Sequence, residues 1–263
     1  MRPIPILLYH SVTDDPSPAL GTYSLAPCRL RDHAAVIADQ GWRVLTIAEL
    51  ARQMAEGSVG DEPTLALTFD DGFADTAEHA APILAEHDFT ATLYVTSGRV
   101  GTHCDWLGSE GRRPMASWAQ LRDLSASGWE IGAHSISHVE LDVVAMTAAR
   151  EQIRGSRSAL QQALGLPVES FAYPHGYHSR RVRQEVIAAG FRTACAVKNV
   201  FSDACDDRYA LARLTVTSTM TGDDLARLLS SSPTRAARRE RPRTKAWRCY
   251  RRIRHEAGRG AKQ

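Results

Sequence analysis

The sequence predicts a single α/β domain built on a parallel sheet that closes into a barrel. Strand-like and helix-like segments alternate along residues 4–229, and repeated strand-then-helix units are typical of parallel sheets. Polar residues able to bind a metal follow four of the strand-like segments, and α/β barrels carry their sites at the carboxyl ends of strands. A chain of 263 residues with 43% apolar content is long enough for one such domain.

The elements are predicted from apolar runs, helical periodicity and the residues that end helices. Four helices are closed by Gly41, Gly128, Gly165 and Gly190, and Ser117 is a predicted N-cap. Strands are predicted over residues 4–9, 64–69, 90–96, 129–133, 170–173, 191–197 and 209–216. Helices are predicted over residues 29–39, 74–87 (despite a proline), 117–127, 146–164, 180–189 and 223–229.

Composition limits where the protein is expected to act. No apolar run approaches the ~18 residues that span a bilayer, and the opening segment 1–10 is too short and too proline-rich for a signal peptide. Five cysteines, odd in number and without CxxC spacing, argue against a disulfide framework and a cysteine-rich zinc site. We therefore predict a cytoplasmic location.

The charge of the chain is divided unevenly. Residues 1–234 carry 20 basic and 28 acidic side chains, whereas residues 235–263 carry 12 basic and 2 acidic ones. We predict a catalytic domain over 1–232 and a flexible basic tail over 233–263. The tail is either a solvated extension or a peripheral attachment to an anionic membrane surface, with Trp247 and Tyr250 as interfacial anchors. No nucleic-acid recognition motif accompanies it.

Two motifs predict a metal site. The apolar run 64–69 ends in Asp70-Asp71-Gly72, and adjacent carboxylates that both stay ionised usually have a cation nearby. The strand-like segment 129–133 leads into His134 and His138, two imidazoles four positions apart. One carboxylate with two imidazoles suits zinc or a similar divalent ion and leaves a position open for water. This combination is typical of a hydrolytic site.

These motifs, together with Phe-Ala-Tyr-Pro-His-Gly at 171–176, resemble the polysaccharide deacetylase (NodB-homology, carbohydrate esterase) family. The resemblance covers roughly residues 1–230. It implies a distorted (β/α)7-type, TIM-like barrel and hydrolysis of the N-acetyl groups of acetylated amino sugars in a glycan or glycolipid. It also implies that Asp70 is the general base and that Asp71, His134 and His138 bind the metal, for which Zn²⁺ is the best candidate.

The chain departs from the commonest family pattern at the residue that protonates the leaving amine. Many relatives have a histidine in a late Leu-x-His motif, but this chain has Leu211-Ala212-Arg213, and arginine is a poor general acid. His10, in a Tyr-His motif after the first strand, is the replacement candidate. Arg213 is predicted to orient Asp70, because the arginine expected near the third motif is Ala172.

The third motif is predicted to help bind the substrate. The backbone N–H of His175, after Pro174, is placed to hold the oxyanion, which is worth ~3 kcal/mol in comparable sites. Gly176 permits a close approach of the backbone to the substrate. His175 and His178 are further candidates for the proton donor.

Simpler interpretations stay open for each motif. Asp70-Asp71-Gly72 fits an ordinary turn, the histidine pair fits a capped helix start, and His10 fits a buried structural histidine. Trp118 and Trp129 are expected in the core. A HExxH peptidase is excluded by Ser135. Two other functions compete with the deacetylase: an amide or cyclic-imide hydrolase acting on a non-sugar substrate, and a non-catalytic carbohydrate-binding relative.

Overall fold

The structure is a computed structural model that describes residues 3–16, 18–108, 111–203 and 205–231. Ten strands are found in this part of the chain, and most are short. They are β1 (Ile6–Tyr9), β2 (Ser11–Val12), β3 (Ser24–Leu25), β4 (Arg43–Leu45), β5 (Thr64–Phe69), β6 (Thr92–Val95), β7 (Glu130–Ala133), β8 (Ser170–Ala172), β9 (Thr193–Cys195) and β10 (Leu214–Thr215).

The main sheet is parallel throughout and curls into a barrel. Its strand order is β10-β1-β5-β6-β7-β8-β9, with β4 beside the first half of β5, while β2 and β3 form a separate pair. A parallel bridge between Cys195 and Leu211 connects β9 to the segment that leads into β10. The predicted barrel of the (β/α)7 type is confirmed.

Helices cover the outer face of the sheet. They are α1 (Pro27–Asp39), α2 (Ile47–Glu56), α3 (Ala81–Ala85), α4 (Trp118–Ala126), α5 (Met146–Leu164), α6 (Arg180–Ala188) and α7 (Gly222–Ser230). The predicted N-cap Ser117 accepts a hydrogen bond from the Gln120 N–H and forms a capping box with that residue. Gly165 ends α5 in the left-handed conformation that favours glycine.

Strand alternation decides which side chains enter the barrel. Along β5, Leu65, Leu67 and Phe69 belong to the core under the helices, whereas Ala66 belongs to the core inside the barrel. Because successive side chains of a strand point to opposite faces, Asp70 continues the inner face at the carboxyl end of β5. Asp71 and His134 likewise follow the carboxyl ends of their strands, β5 and β7.

The structure differs from the sequence prediction in several elements. The strand β4 and the helix α2 were not predicted, and the predicted helix 74–87 is a π-helical turn (Thr76–Ala80) followed by the short α3. Pro82 explains that break, because it cannot donate a helical hydrogen bond. The last strand is only β10, since Leu211 pairs with the end of β9 instead.

The basic tail predicted for 233–263 lies outside the described residues. Within the part of the chain that the structure describes, no helix is both long enough and apolar enough to span a membrane.

Candidate metal centre and active site

Three side chains that follow two strands on either side of β6 form a compact set of metal-ligand atoms. Asp71 follows β5, and His134 and His138 follow β7. The His138 Nε2 lies 3.1 Å and the His134 Nε2 3.5 Å from the Asp71 Oδ1. One donor atom from each of these buried residues lies within 4.8 Å of the other two. A carboxylate and two imidazoles that converge in this way fit a divalent ion such as zinc.

A hydrogen bond to the neighbouring strand fixes the ring of His134. The His134 Nδ1 lies 2.8 Å from the carbonyl oxygen of Ala172, at the end of β8. A carbonyl only accepts, so Nδ1 carries the proton and a neutral ring keeps its Nε2 lone pair directed at Asp71. Burial lowers the pKa of His134, but the Asp70 and Asp71 carboxylates outweigh burial and raise it above its ordinary value.

The turn between the two histidines is strained and is held by side chains. Ser135 and His138 have φ values of 65° and 58°, a region that costs non-glycine residues roughly 1–2 kcal/mol. The Ser135 Oγ accepts the His138 N–H at 3.0 Å. From α5, the Gln152 Oε1 accepts the N–H groups of Ile136 and Ser137 at 3.0 and 2.9 Å. Gln152 was missed from the sequence, where a single glutamine in a helix has no distinguishing pattern.

Asp70 is engaged differently from its neighbour Asp71. The Arg213 Nη1 and Nη2 donate to the two Asp70 carboxylate oxygens, each at 2.6 Å, whereas the nearest imidazole nitrogen, His134 Nε2, is 3.9 Å away. This paired geometry is the strong form of an arginine–carboxylate contact. Burial raises the pKa of Asp70, but Arg213 and His134 outweigh burial and lower that pKa below its ordinary value. The carboxyl is therefore ionised at neutral pH.

Arg213 is fully buried and has a partner on every side of its guanidinium. Its Nε donates to the Ala196 carbonyl at 3.2 Å, and Nη1 also donates to the Thr68 Oγ1 at 3.2 Å. The guanidinium carbon lies 5.5 Å from the ring centre of Tyr94, a cation–π distance. The interaction with Asp70 outweighs burial and raises the pKa of Arg213, which therefore keeps its charge.

The remaining predicted residues surround the same cleft. His10 follows β1 and is packed against the Tyr23 ring, with 4.8 Å between ring centres. Burial lowers the pKa of His10 in spite of the nearby Asp71 and Asp70 carboxylates. His175 lies in a short 3-10 turn with a φ of 57°, and a Cβ on Gly176 would lie 2.6 Å from the Val197 Cβ. Only glycine fits this contact.

The cleft itself has a volume of about 230 Å³. Arg213 and Pro174 do not line it. Seven of the predicted residues do, namely His10, Asp70, Asp71, His134, His138, His175 and Gly176. The structure adds two aromatic residues to its walls, Trp106 in a loop and Tyr23 in a short 3-10 turn, and the sequence around them has no periodicity to mark them. As expected, Trp129 is buried in the core, and Trp118 packs against it. His178 does not line the cleft, and its ring packs on Tyr173.

Comparisons with known proteins agree with this architecture. Residues 57–194 match the family model described as polysaccharide deacetylase. YxkH of Bacillus subtilis (strain 168), whose name places it among polysaccharide deacetylases, is 22% identical over 228 residues, which is 87% of this chain and 76% of YxkH.

Two solved structures share the fold. The deacetylase PplD of Streptococcus pyogenes, solved in complex with acetate, superposes with a TM-score of 0.77 at 20% identity, over 87% of this chain and 99% of PplD. IcaB from Ammonifex degensii gives a TM-score of 0.73 at 21% identity, over 88% of this chain and 98% of IcaB. The family match spans more than half of the chain and contains the Asp, His and Pro-His-Gly motifs, so the chain belongs to the polysaccharide deacetylase family.

Proposed function

We propose that this protein is a divalent-metal-dependent hydrolase that removes N-acetyl groups from acetylated amino sugars of a glycan or glycolipid. One observation carries the proposal: a second carboxylate, Asp70, lies beside the set of Asp71, His134 and His138 in an open cleft, yet is bound by arginine rather than by the imidazoles. Protein that only binds sugar has no need of this additional buried charge, whose desolvation is costly.

Asp71, His134 and His138 would hold the ion. Zinc is the best candidate because an aspartate with two histidines provides the nitrogen and oxygen ligands it prefers. A divalent ion bound there supplies Lewis-acid activation of the amide carbonyl and of water. The Asp71 carboxylate is suited to this role because His138 and His134 outweigh burial and hold its pKa well below the ordinary range.

Asp70 would act as the general base. Arg213 fixes both of its oxygens at 2.6 Å, which sets the direction from which the carboxylate receives the proton of the attacking water. Asp70 also lines the cleft, together with apolar residues such as Leu8, Leu107 and Val197. An ionised, oriented carboxylate there accepts a proton without further rearrangement.

His10 would protonate the departing amine. It lines the same cleft as the histidine pair, and its Nδ1 is buried without a hydrogen-bond partner among the described residues. Burial favours the neutral imidazole, so protonated His10 gives up its proton readily. The His175 backbone N–H is the proposed donor to the oxyanion, in the turn that Pro174 and Gly176 shape.

The test is release of acetate by zinc-loaded protein from acetylated chito-oligosaccharides, with a cyclic imide as the alternative substrate. We expect acetate from the sugar and no imide opening. Asp70→Asn should lose turnover and keep zinc, whereas His138→Ala should lose both. Asp224→Asn, at a half-exposed position, is the matched control for removal of a carboxylate. Imide opening alone, or zinc binding without hydrolysis of any amide, would reject the proposal.

A further inference from the structure

The two histidines of the ligand set are oriented by different interactions. The His134 Nδ1 has the Ala172 carbonyl as its partner at 2.8 Å. The His138 Nδ1 is equally buried but has no hydrogen-bond partner among the residues that the structure describes. Metal-binding histidines normally donate this second N–H to an acceptor, and loss of that acceptor costs 10–100-fold in metal affinity. His138 therefore needs another source of ring orientation.

An aromatic ring supplies the missing constraint. The Trp106 indole lies nearly parallel to the His138 imidazole, with 4.5 Å between ring centres and 24° between planes. On another side, the His175 ring meets His138 edge-on, with centres 4.6 Å apart and planes at 64°. Rotation of the His138 ring about its Cβ–Cγ bond would collide with one or the other. Stacking thus limits the ring to the orientation in which Nε2 faces Asp71.

Trp106 is itself fixed by the body of the protein. Its ring packs against Phe73, with centres 6.4 Å apart, and joins a small apolar cluster formed with the buried Leu20, Cys104 and Met115. The loop that carries it is tied to the Asp-Asp-Gly motif, since the Ala116 N–H donates to the Gly72 carbonyl at 2.9 Å. The indole is therefore a rigid surface, connected to the segment that also carries Asp71.

We propose that Trp106 is a positioning residue of the metal centre, which fixes His138 by stacking where His134 is fixed by a hydrogen bond. This inference rests on the proposed function, because it assumes that His138 binds the ion. The indole face has a second effect: it favours the positive charge that an imidazole gains when a cation binds its other nitrogen.

The cleft offers an internal comparison. Tyr23 packs on His10 with ring centres 4.8 Å apart, and it is 47% exposed. It is an aromatic residue of the same cleft that touches a histidine outside the ligand set. Changing Tyr23 should therefore alter the cleft without altering metal affinity, which separates loss of an aromatic wall from loss of His138 orientation.

The experiment measures zinc affinity of metal-free protein by competition with a chromophoric chelator. Trp106→Leu keeps apolar volume and removes the ring face, and it should weaken zinc binding by ~10-fold or more. Trp106→Phe keeps a ring face and should remain within ~3-fold of wild type. Tyr23→Leu and Trp118→Leu, the latter packed on the core away from the site, should bind zinc as wild type does.

A second readout separates positioning from general destabilisation. In ¹⁵N spectra of the histidine rings, Trp106→Leu should alter the His138 signals and leave those of His134 in place, at temperatures where the thermal unfolding curve shows folded protein. Equal zinc affinity of Trp106→Leu and wild type would overturn the inference and leave the proposed function intact. An equal loss in Trp118→Leu, or no recovery in Trp106→Phe, would also overturn it. Failure of wild type to bind zinc would instead reject the proposed metal dependence.

Discussion

The proposed ligand side of the site and its proposed proton-transfer side are held in place by different interactions. The ligand side (Asp71, His134 and His138) is held by hydrogen bonds within short turns and to the adjacent strand. The proton-transfer side (Asp70, Arg213 and His10) depends on a buried ion pair between residues 143 positions apart. Metal affinity and turnover are therefore expected to respond to different substitutions, although Asp70 and Asp71 are adjacent in the chain.

The family match divides along the same line. Residues 57–194 contain the whole ligand side and Asp70, but neither His10 nor Arg213. The proposed acid and the arginine bound to the proposed base thus lie far apart in the sequence, just after β1 and just before β10, which pair with each other. The barrel brings these segments to Asp70, so the proton-transfer side depends on the complete fold.

Arg213→Leu should have the largest effect, and it should act on the proton-transfer side alone. It leaves Asp70 buried without its cation, which costs about 3–5 kcal/mol of unfolding free energy when a buried pair loses one partner. Turnover should fall by ~10²-fold or more, because the base loses its orientation. Zinc affinity should change little. Urea unfolding, acetate release and chelator competition measure the three quantities.

Arg213→Lys is the matched variant for that experiment. It keeps the positive charge but cannot form two parallel hydrogen bonds to the Asp70 carboxylate. We expect it to recover much of the stability and little of the turnover. A parallel loss of zinc affinity and turnover in either variant would show that the two sides of the site are not independent.

His10→Gln tests the other half of the proton-transfer side. Turnover should fall by about 10²-fold, the usual contribution of a general acid, with zinc affinity and stability near wild type. Burial lowers the pKa of His10, and an acid is needed in its protonated form. The wild-type activity should therefore decline as pH rises through a value below the ordinary imidazole pKa. Near-wild-type rates for His10→Gln at all pH values would exclude it as the acid.

The sequence placed Asp70 and Asp71 at a strand end and His134 near His138 because this information is local. Buried β5 is a continuous apolar run, so its end and the inward direction of Asp70 follow from strand alternation. His134 and His138 lie after β7 in one short turn. For such motifs the spacing along the chain nearly decides the spacing in space.

The other parts depended on long-range contacts that a single sequence does not encode in any pattern. Arg213 was linked to Asp70 only through the family resemblance, because a single arginine has no pattern of its own, and the structure shows its guanidinium bound to that carboxylate. Trp106 and Gln152 act through packing and through hydrogen bonds to a turn on another element. The short β4 was missed because only three residues form it, and its outer end is exposed. Non-local pairing decides these features.

Substitution of Asp75 should have a smaller effect, on stability, in the segment next to His10. Its carboxylate accepts a hydrogen bond from the Ser11 Oγ, next to His10, and burial raises its pKa from 3.8 to about 6. The folded state then holds a proton that the unfolded state releases, so this group lowers stability as pH rises from 4 to 6. Asp75→Asn should remove that decline, worth about 2–3 kcal/mol at neutral pH. Urea unfolding at several pH values measures it; parallel curves for the two proteins would contradict the prediction.

Gln152→Ala should have the mildest effect, and it tests the ligand side alone. The change removes the acceptor of the Ile136 and Ser137 N–H groups, so the strained turn before His138 loses these hydrogen bonds to α5. Zinc affinity should fall by about 10-fold, within the range for residues that support ligands, whereas turnover at saturating zinc should persist. Gln161→Ala is the matched control. Gln161 is on the same helix, α5, but its side chain accepts the Val168 N–H, away from the site. A loss of turnover that saturating zinc does not restore would mean that the turn also shapes the proton-transfer side.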